Sequence, residues 1–240
     1  MIVRHLVVLT GAGISADSGV QTFRDAGGLW EGHRPEDVAT PQAWQRDRAL
    51  VWRFYQGRRA QLPSVQPNAA HQALAALERR LLAAGHAFTL ITQNVDDLHD
   101  RAGHREVLHM HGELASLRCE SCGHTRRDLS FLDAERCMPC PSCGHDALRP
   151  DIVWFGEIPF HLDRIDRAIA SCTHFVAIGT SGVVWPAAGL LHAARELGAQ
   201  VWVQALEEPA NLVDGDRFVR GRAADVVPAM LDEIGASMLV

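Results

Sequence analysis

One tyrosine stands in a chain of 240 residues, aromatic residues make up 6% of it, and no apolar run approaches the length of a membrane span. A spanning helix needs about 20 predominantly apolar residues. The N-terminal stretch M-I-V-R-H-L-V-V-L-T runs into a glycine turn well before that, so it reads as a buried strand and not as a signal peptide or span. Positive charge is not in excess either. The net charge of -6 gives no general attraction to nucleic acid or to an anionic membrane, although the basic stretch from Arg46 to Arg59 could steer an acidic ligand. Internal repeats and low-complexity tracts are lacking, and 47% hydrophobic against 22% charged residues excludes disorder as the main theme. One sizeable core and a small satellite module are expected.

Cysteine is also scarce outside one region. Five of the six cysteines lie between Cys119 and Cys143, in C-E-S-C and C-M-P-C-P-S-C. In a reducing compartment such knuckles bind metal rather than form disulfides, which points to a cytoplasmic protein. Cys119 and Cys122, followed after 17 residues by Cys140 and Cys143, have the spacing of a four-thiolate zinc ribbon. Four protein ligands leave no open position, so the Zn2+ is expected to be structural. Cys137 forms an alternative pair with Cys140; Cys143 is preferred because C-P-S-C-G mirrors C-E-S-C-G. Cys172 reads as a small buried hydrophobe.

Three apolar runs, Leu6 to Leu9, Ala87 to Ile91 and His174 to Ile178, have the composition of parallel strands buried on both faces, and Val201 to Gln204 is a weaker fourth. Helical periodicity fills 71–85 and 186–198, each closed by glycine. Strands alternating with helices imply an α/β fold, an open, doubly wound, Rossmann-like parallel sheet. Ligand chemistry then gathers at the carboxyl ends of the strands, where the chain carries T-G-A-G-I-S, T-Q-N-V-D-D-L-H and G-T-S-G. Two insertions interrupt the sheet: a helical stretch, 34–67, and a cysteine segment, 114–145. The remainder, 1–33, 68–113 and 146–240, forms the main domain. G-A-G-I-S-A matches Gly-x-Gly-x-x-Ala, which suits backbone amides and a helix N-terminus facing a pyrophosphate. Tight turns also use glycine for steric reasons alone. The acidic residue that usually follows about twenty positions later is not on a second strand here.

The lone tyrosine lies in R-F-Y-Q-G-R-R. Asp47 can cap a helix whose apolar face carries Val51, Phe54, Tyr55 and Leu62, and Arg58 falls on that same face. A buried cation is costly. Either its head snorkels to water, or the pair Tyr55 and Arg58 awaits an anion that arrives with a ligand.

Taken together, G-A-G-I-S-A-D-S-G-V-Q-T-F-R, T-Q-N-V-D-D-L-H, H-M-H-G-E-L, the paired Cys-x-x-Cys, R-P-D-I-V-W-F-G-E and G-T-S-G-V-V-W-P-A-A resemble the sirtuin family of NAD-dependent protein-lysine deacylases, over almost the whole chain and in family order. Tyr55-x-x-Arg58 resembles the pair of class III members, which include bacterial enzymes and lysine desuccinylases and demalonylases. The resemblance implies that Gly11, Ala12, Gly13, Ala16, Thr22, Phe23 and Arg24 form the loop that wraps NAD, with Phe23 guarding the nicotinamide-ribose bond. It implies that Gln93, Asn94, Val95 and Asp96 hold the ribose and nicotinamide amide. Gly179, Thr180 and Ser181, with Ala205, Leu206, Glu207 and Ala223, would meet the phosphates and adenosine. His111 would be the catalytic base. Val153, Phe155, Gly156 and Glu157, with Val183, would clasp an acylated-lysine protein substrate as an added strand. Tyr55 and Arg58 would grip a succinyl or malonyl carboxylate, and Ala26 would leave room for it. The products would be lysine, nicotinamide and O-acyl-ADP-ribose.

Residue chemistry agrees with that implication. Displacing nicotinamide with the weakly nucleophilic oxygen of an amide asks for orientation and exclusion of water, and the following proton transfer asks for one base near neutrality, which suits an imidazole. His109 and His99 are expected to be structural, His109 facing the same way as His111 on one strand. Ala205 departs from the family's asparagine, and the loss of one or two hydrogen bonds there would cost about 1 to 2 kcal/mol of NAD binding; Gln204 is the nearest substitute but should face the opposite way. Competing functions are mono-ADP-ribosyl transfer and a zinc-ribbon interaction module on an inactive nucleotide fold. A monomer is expected, with neither membrane nor nucleic acid as partner.

Overall fold

His5–Thr10 is buried at all six positions, which an amphipathic strand on a solvated sheet would not be and a central parallel strand must be. The computed structural model describes residues 3–21, 32–130 and 133–240. In chain order its elements are β1 (His5–Thr10), α1 (Pro35–Val38), α2 (Pro41–Arg46), α3 (Arg48–Gln61), α4 (Ala69–Ala83), β2 (Ala87–Thr92), α5 (Leu98–Arg101) and β3 (Val107–His109). They continue with β4 (Gly112–Cys119), β5 (Thr125–Arg127), β6 (Leu148–Ile152), α6 (Leu162–Ala170), β7 (His174–Ile178), α7 (Ala187–Glu196), β8 (Gln200–Ala205), β9 (Arg217–Arg220) and α8 (Ala223–Met238).

Six strands form a parallel sheet in the order β3-β2-β1-β7-β8-β9. The chain leaves β1 in one direction and returns on its other side at β7, so the switch point of this doubly wound sheet lies between β1 and β7. Alternate residues of β1 feed opposite faces, as the pleat requires. Leu6 and Val8 pack with Leu74, Leu77, Val227 and Ile234 under α4 and α8. Val7 and Leu9 pack with Ile165, Leu191 and Ala194 under α6 and α7. The four expected strands are present; β3 and β9, three and four residues long, complete the edges.

A second sheet, β5-β4-β6, is antiparallel. It shares a third apolar cluster with the helical segment: Val51, Trp52 and Tyr55 of α3 pack with Leu114, Leu117, Cys119 and Leu148. Its strands reach from Gly112 to Ile152, slightly beyond the cysteine segment on both sides. Helix starts are set by short polar caps. Thr40 Oγ1 accepts the Ala43 N–H at 3.0 Å, and Asp47 Oδ1 accepts the Leu50 N–H at 2.9 Å, the cap expected for α3.

The sulfurs of Cys119, Cys122, Cys140 and Cys143 all lie within 4.8 Å of one another. Cys119 to Cys143 and Cys122 to Cys140 are each 3.7 Å apart. Tetrahedral zinc with Zn–S bonds of about 2.3 Å places its sulfurs about 3.8 Å apart, so the four thiols fit Zn2+. Cys137 stays outside the cluster, which decides between the two spacings in favour of Cys143. Cys172 is buried, and its thiol is pushed up to about 11 by that burial, as an inert core residue would be.

This lobe is the seat of α2 and α3. Trp44 Nε1 donates to Glu120 at 2.9 Å, Trp52 Nε1 to the Asp133 carbonyl at 2.8 Å, and Arg53 holds Glu135 through two 3.0 Å bonds. Arg59, fully buried, donates to Gln56 Oε1 and to the carbonyls of Leu114 and Asp128. Burial lowers the Arg59 guanidinium to about 10, which still leaves it charged. All 23 lysine-plus-arginine positions are arginine, so arginine and histidine supply every side-chain cation. No described helix is long and apolar enough to cross a membrane.

On α4 and α5, His71 and His99 are 0% and 1% exposed, and His99 stands between the rings of His71 and His104 at 4.8 and 5.4 Å. Burial pushes His71 down to about 4 and His99 well below its ordinary value.

Two outcomes are expected. Stripping the zinc with a chelator should raise hydrogen exchange along 48–61 before it does so along β1 or β7; equal rises in both places would disconnect the lobe from α3. The unfolded chain protonates His71 near pH 6.5 while the native chain resists until about 4, so its contribution is complete above 6.5 and is lost as the pH falls, on the order of 3 kcal/mol. Urea midpoints measured from pH 7.5 to 4.5 should fall less steeply for His71→Gln than for the wild type.

Candidate functional site

The loops after β1, β2 and β7 meet at the switch point. Gly11 N–H donates to the Ile178 carbonyl and Gly13 N–H to the Gly179 carbonyl, each at 2.9 Å. The backbones approach so closely that a Cβ on Gly13 would lie 2.7 Å from Gly179 Cα, and one on Gly179 would lie 2.3 Å from Ile14 N. The steric reading of these glycines therefore holds whatever else they do. No α-helix directly follows β1. Ala12–Ile14 and Ala16–Ser18 form two 3-10 turns, so the helix N-terminus expected to face a pyrophosphate is replaced by two short turns. Thr22, Phe23, Arg24 and Ala26 lie outside the described residues.

Polar side chains knit the three loops together. Gln93 Nε2 donates to Thr180 Oγ1 at 3.0 Å. Asn94 Nδ2 donates to the Gly11 carbonyl and to Ser15 Oγ, both at 3.1 Å. Asp96 is 5% exposed; burial pushes its carboxyl up, opposed by bonds from the Leu98 N–H and the Ser15 hydroxyl. Ser15, fully buried at the junction of Asn94 and Asp96, was not among the residues singled out in the sequence. Its place in G-A-G-I-S was the available signal. The resulting set of amide, carboxylate and hydroxyl groups fits a ribose and a carboxamide, the polar parts of NAD.

His111 lies in the turn between β3 and β4. Its Nδ1 is 3.1 Å from the Gln93 carbonyl, which can only accept, so Nδ1 carries the proton and Nε2 keeps a lone pair. Burial holds its pKa below the ordinary value, with the Gln93 bond opposing, so the ring is a neutral base at pH 7. Gly112 fixes the turn: its φ is +80°, and a Cβ there would lie 2.0 Å from the Asp151 carbonyl oxygen. His109 does not share the His111 setting, contrary to the same-face expectation. β3 ends at His109, whose Nε2 bonds Asp100 Oδ2 at 3.0 Å. Asp100, His109 and Glu113 cluster closely, but His109 and Arg127 supply the opposing charge. His99 is structural as expected, bonded to Thr10 Oγ1 at 3.0 Å.

After β6 the chain passes His111 again, with Val153 N–H donating to its carbonyl at 2.9 Å. Phe155 N–H donates to the Ala39 carbonyl and Glu157 N–H to the Trp154 carbonyl. The Trp154 N–H goes to the Glu157 carboxylate, which also holds Arg149 at 2.7 and 2.9 Å. Four amides expected to pair with a peptide are thus already used within the chain. Phe155 and Val183 are half-exposed, at 49% and 52%.

Arg58 is 7% exposed and Tyr55 is fully buried, so the guanidinium does not snorkel. Its Cζ lies 5.9 Å from the centre of the Phe54 ring, and the Tyr55 hydroxyl accepts the Trp154 indole N–H at 2.9 Å.

On the far side of the sheet, both ends of the Gln204 amide are engaged, with Gly179 N–H at 3.1 Å and the Gly221 carbonyl at 2.7 Å. Gln204 therefore cannot replace the side chain missing at Ala205. Leu206 is exposed and Glu207 beside it too, whereas Ala223 is buried at the start of α8. A cavity of about 240 Å3 lies elsewhere, between α4, β2, β3 and α6, and none of the expected cofactor residues lines it.

Comparison with known proteins agrees with this geometry. The sequence model of the Sir2 family matches residues 11–186. An NAD-dependent protein deacylase, SIR2rp3, of Trypanosoma brucei brucei is 49% identical over 95% of this chain and 94% of its own length. The NAD-dependent protein deacylase of Caulobacter vibrioides is 47% identical over 98% and 99%. Among solved structures, a Sir2 homologue in complex with NAD superposes with a TM-score of 0.88 at 40% identity, covering 98% of this chain and 91% of that one. A mutant Sir2 homologue bound to ADP ribose reaches 0.90, also at 40%, covering 98% and 93%. With its family signature, its doubly wound sheet and its four-cysteine cluster in agreement, the chain belongs to the Sir2 family.

Proposed function

We propose that this chain, an NAD-dependent protein deacylase by its family and its relatives, prefers lysine side chains carrying acidic acyl groups, succinyl or malonyl, with acetyl as a further substrate. The burial of Arg58 beside Tyr55 carries the reading. A guanidinium kept from water favours an anion that brings two acceptor oxygens, and a phenol can add a third bond. An acetyl group offers no such charge. One relative of known structure is bound to a myristoylated histone peptide; an apolar chain of that kind offers a guanidinium no carboxylate.

NAD, when bound, would supply a ribose C1′ able to take the acyl oxygen as nicotinamide leaves, which would activate the acyl carbon. Gln93, Asn94 and Asp96 would orient the ribose and carboxamide, with Ser15 holding the last two in register. Gly11, Ala12, Gly13 and Ala16, with Val95, would line the nucleotide path, and Gly179, Thr180, Ser181, Leu206, Glu207 and Ala223 would continue it toward the adenosine. His111 Nε2 would take a proton from a ribose hydroxyl, its tautomer set by the Gln93 carbonyl. The carbonyls around Val153, Phe155 and Gly156, opposite Val183, would hold the substrate backbone.

Mass spectrometry of one lysine peptide, bearing acetyl or succinyl, with and without NAD, tests the preference. Arg58→Met should reduce desuccinylation at least about tenfold, as expected for loss of a charged hydrogen-bond pair, with a smaller loss of deacetylation. Equal losses on both peptides would refute it. His111→Ala should be inert on both. Because burial lowers the His111 pKa, the acid limb of kcat/KM should lie below pH 6.5, with activity flat through neutrality; a limb above 7 would contradict His111 as the base.

A further inference from the structure

The Trp154 indole stands where it can decide what the Tyr55 phenol is able to do. Its N–H donates to the phenol oxygen at 2.9 Å, with the two rings 6.2 Å apart and tilted by 34°. An indole N–H only donates, so the direction of this bond is unambiguous. The phenol must accept there, and its single proton points away from Trp154. A phenol oriented in that way can donate to an acceptor that enters from the other side.

The indole itself is held on several sides. The Arg149 guanidinium lies 3.3 Å over its ring, Trp44 packs at 5.7 Å, and the Trp154 N–H is fixed by Glu157 at 2.9 Å. Arg149 is in turn pinned by Glu157 and by the Ile152 carbonyl at 2.8 Å. Such a side chain has little freedom to turn away, and Tyr55, fully buried on α3, has no more. Burial also pushes the phenol pKa up, so the proton stays on the oxygen. The backbone neighbours tie the arrangement to the rest of the site, since Val153 donates to the His111 carbonyl.

We infer that Trp154 is a positioning residue for acyl selectivity: its indole N–H occupies the acceptor side of Tyr55 and so presets the phenol as a donor toward an acidic acyl group. This rests on the acidic-acyl reading above. Without the indole N–H the phenol could turn its own proton toward other oxygens, and the donor would have to be reoriented each time a substrate bound. Binding should suffer more than chemistry.

Steady-state kinetics on succinyl-lysine and acetyl-lysine forms of one tyrosine-free peptide test the inference with the wild type, Trp154→Phe, Tyr55→Phe and the double variant. Trp154→Phe keeps an aromatic ring and removes the donor. It should raise KM for the succinyl peptide about three- to tenfold, the effect of one hydrogen bond, with kcat within about twofold and a smaller change for the acetyl peptide. In the Tyr55→Phe background it should add nothing further to KM. Equal changes on the two peptides, or fully additive effects in the double variant, would overturn it.

A second measurement needs no variant. Tyr55 is the only tyrosine, so the tyrosine Fermi doublet in ultraviolet resonance Raman reports this phenol alone. It should show an oxygen that accepts in the free protein and should shift toward stronger donation once the succinyl peptide is bound; a phenol that does not accept in the free protein, or that does not respond to the peptide, would sink the idea. Arg58→Met separates the two levels. If it lowers desuccinylation selectively while the Trp154 tests fail, the positioning role alone is wrong, whereas equal loss on both peptides removes the acidic-acyl reading and this inference with it.

Discussion

Two arginines, Arg58 and Arg59, are buried side by side on one helix, and much of the molecule is arranged around what that costs. A guanidinium withdrawn from water must find oxygens. Arg59 finds three, one on its own helix and two carbonyls offered by the lobe that the cysteines organise. Adjacent residues on a helix are about 100° apart, so anchoring Arg59 in that lobe also fixes the rotation of α3, with Arg58 turned about 100° from Arg59 and Tyr55, one turn earlier, between the two. A structural metal remote from the sheet's switch point thereby sets the direction in which Tyr55 and Arg58 point.

The nucleotide side of the site obeys a different constraint, the close approach of two backbones. Gly11, Gly13 and Gly179 let the loops after β1 and β7 touch without side chains between them. With those loops joined, Asn94 can reach across to Gly11 and Ser15, Gln93 can reach Thr180, and the Gln93 carbonyl is left to hold His111. One short segment, Gln93 to Asp96, therefore touches both loops and sets the tautomer of the imidazole.

The four long strands of the parallel sheet could be read from the sequence because each carries a short apolar run that is largely buried; β3 and β9, at three and four residues, are too short to carry such a signal. The cap of α3 was legible in Asp47, and the zinc ligands in the mirrored knuckles. The burial of Arg59 was not, because its partners are main-chain carbonyls some 55 and 69 residues away, and carbonyls leave no trace in a sequence. The same blindness hid the engaged amides of the Val153 to Glu157 segment. Ser15 was overlooked for another reason: in a glycine-rich loop it reads as turn chemistry, and its role as a joint between Asn94 and Asp96 depends on how two loops meet in space. Tyr55 and Arg58 were legible as an anomaly on an apolar face, while the indole that orients the phenol lies 99 positions from it.

The complete replacement of lysine by arginine has a consequence of its own. An amine that removes itself from the charged state can be captured by activated thioesters, whereas a guanidinium remains protonated and is a poor nucleophile. Across these 240 residues there is no ε-amine to be captured. The molecule that strips such marks from other chains thus offers none of its own side chains as a place to put them, and its ion pairs keep their charge when acyl donors are abundant.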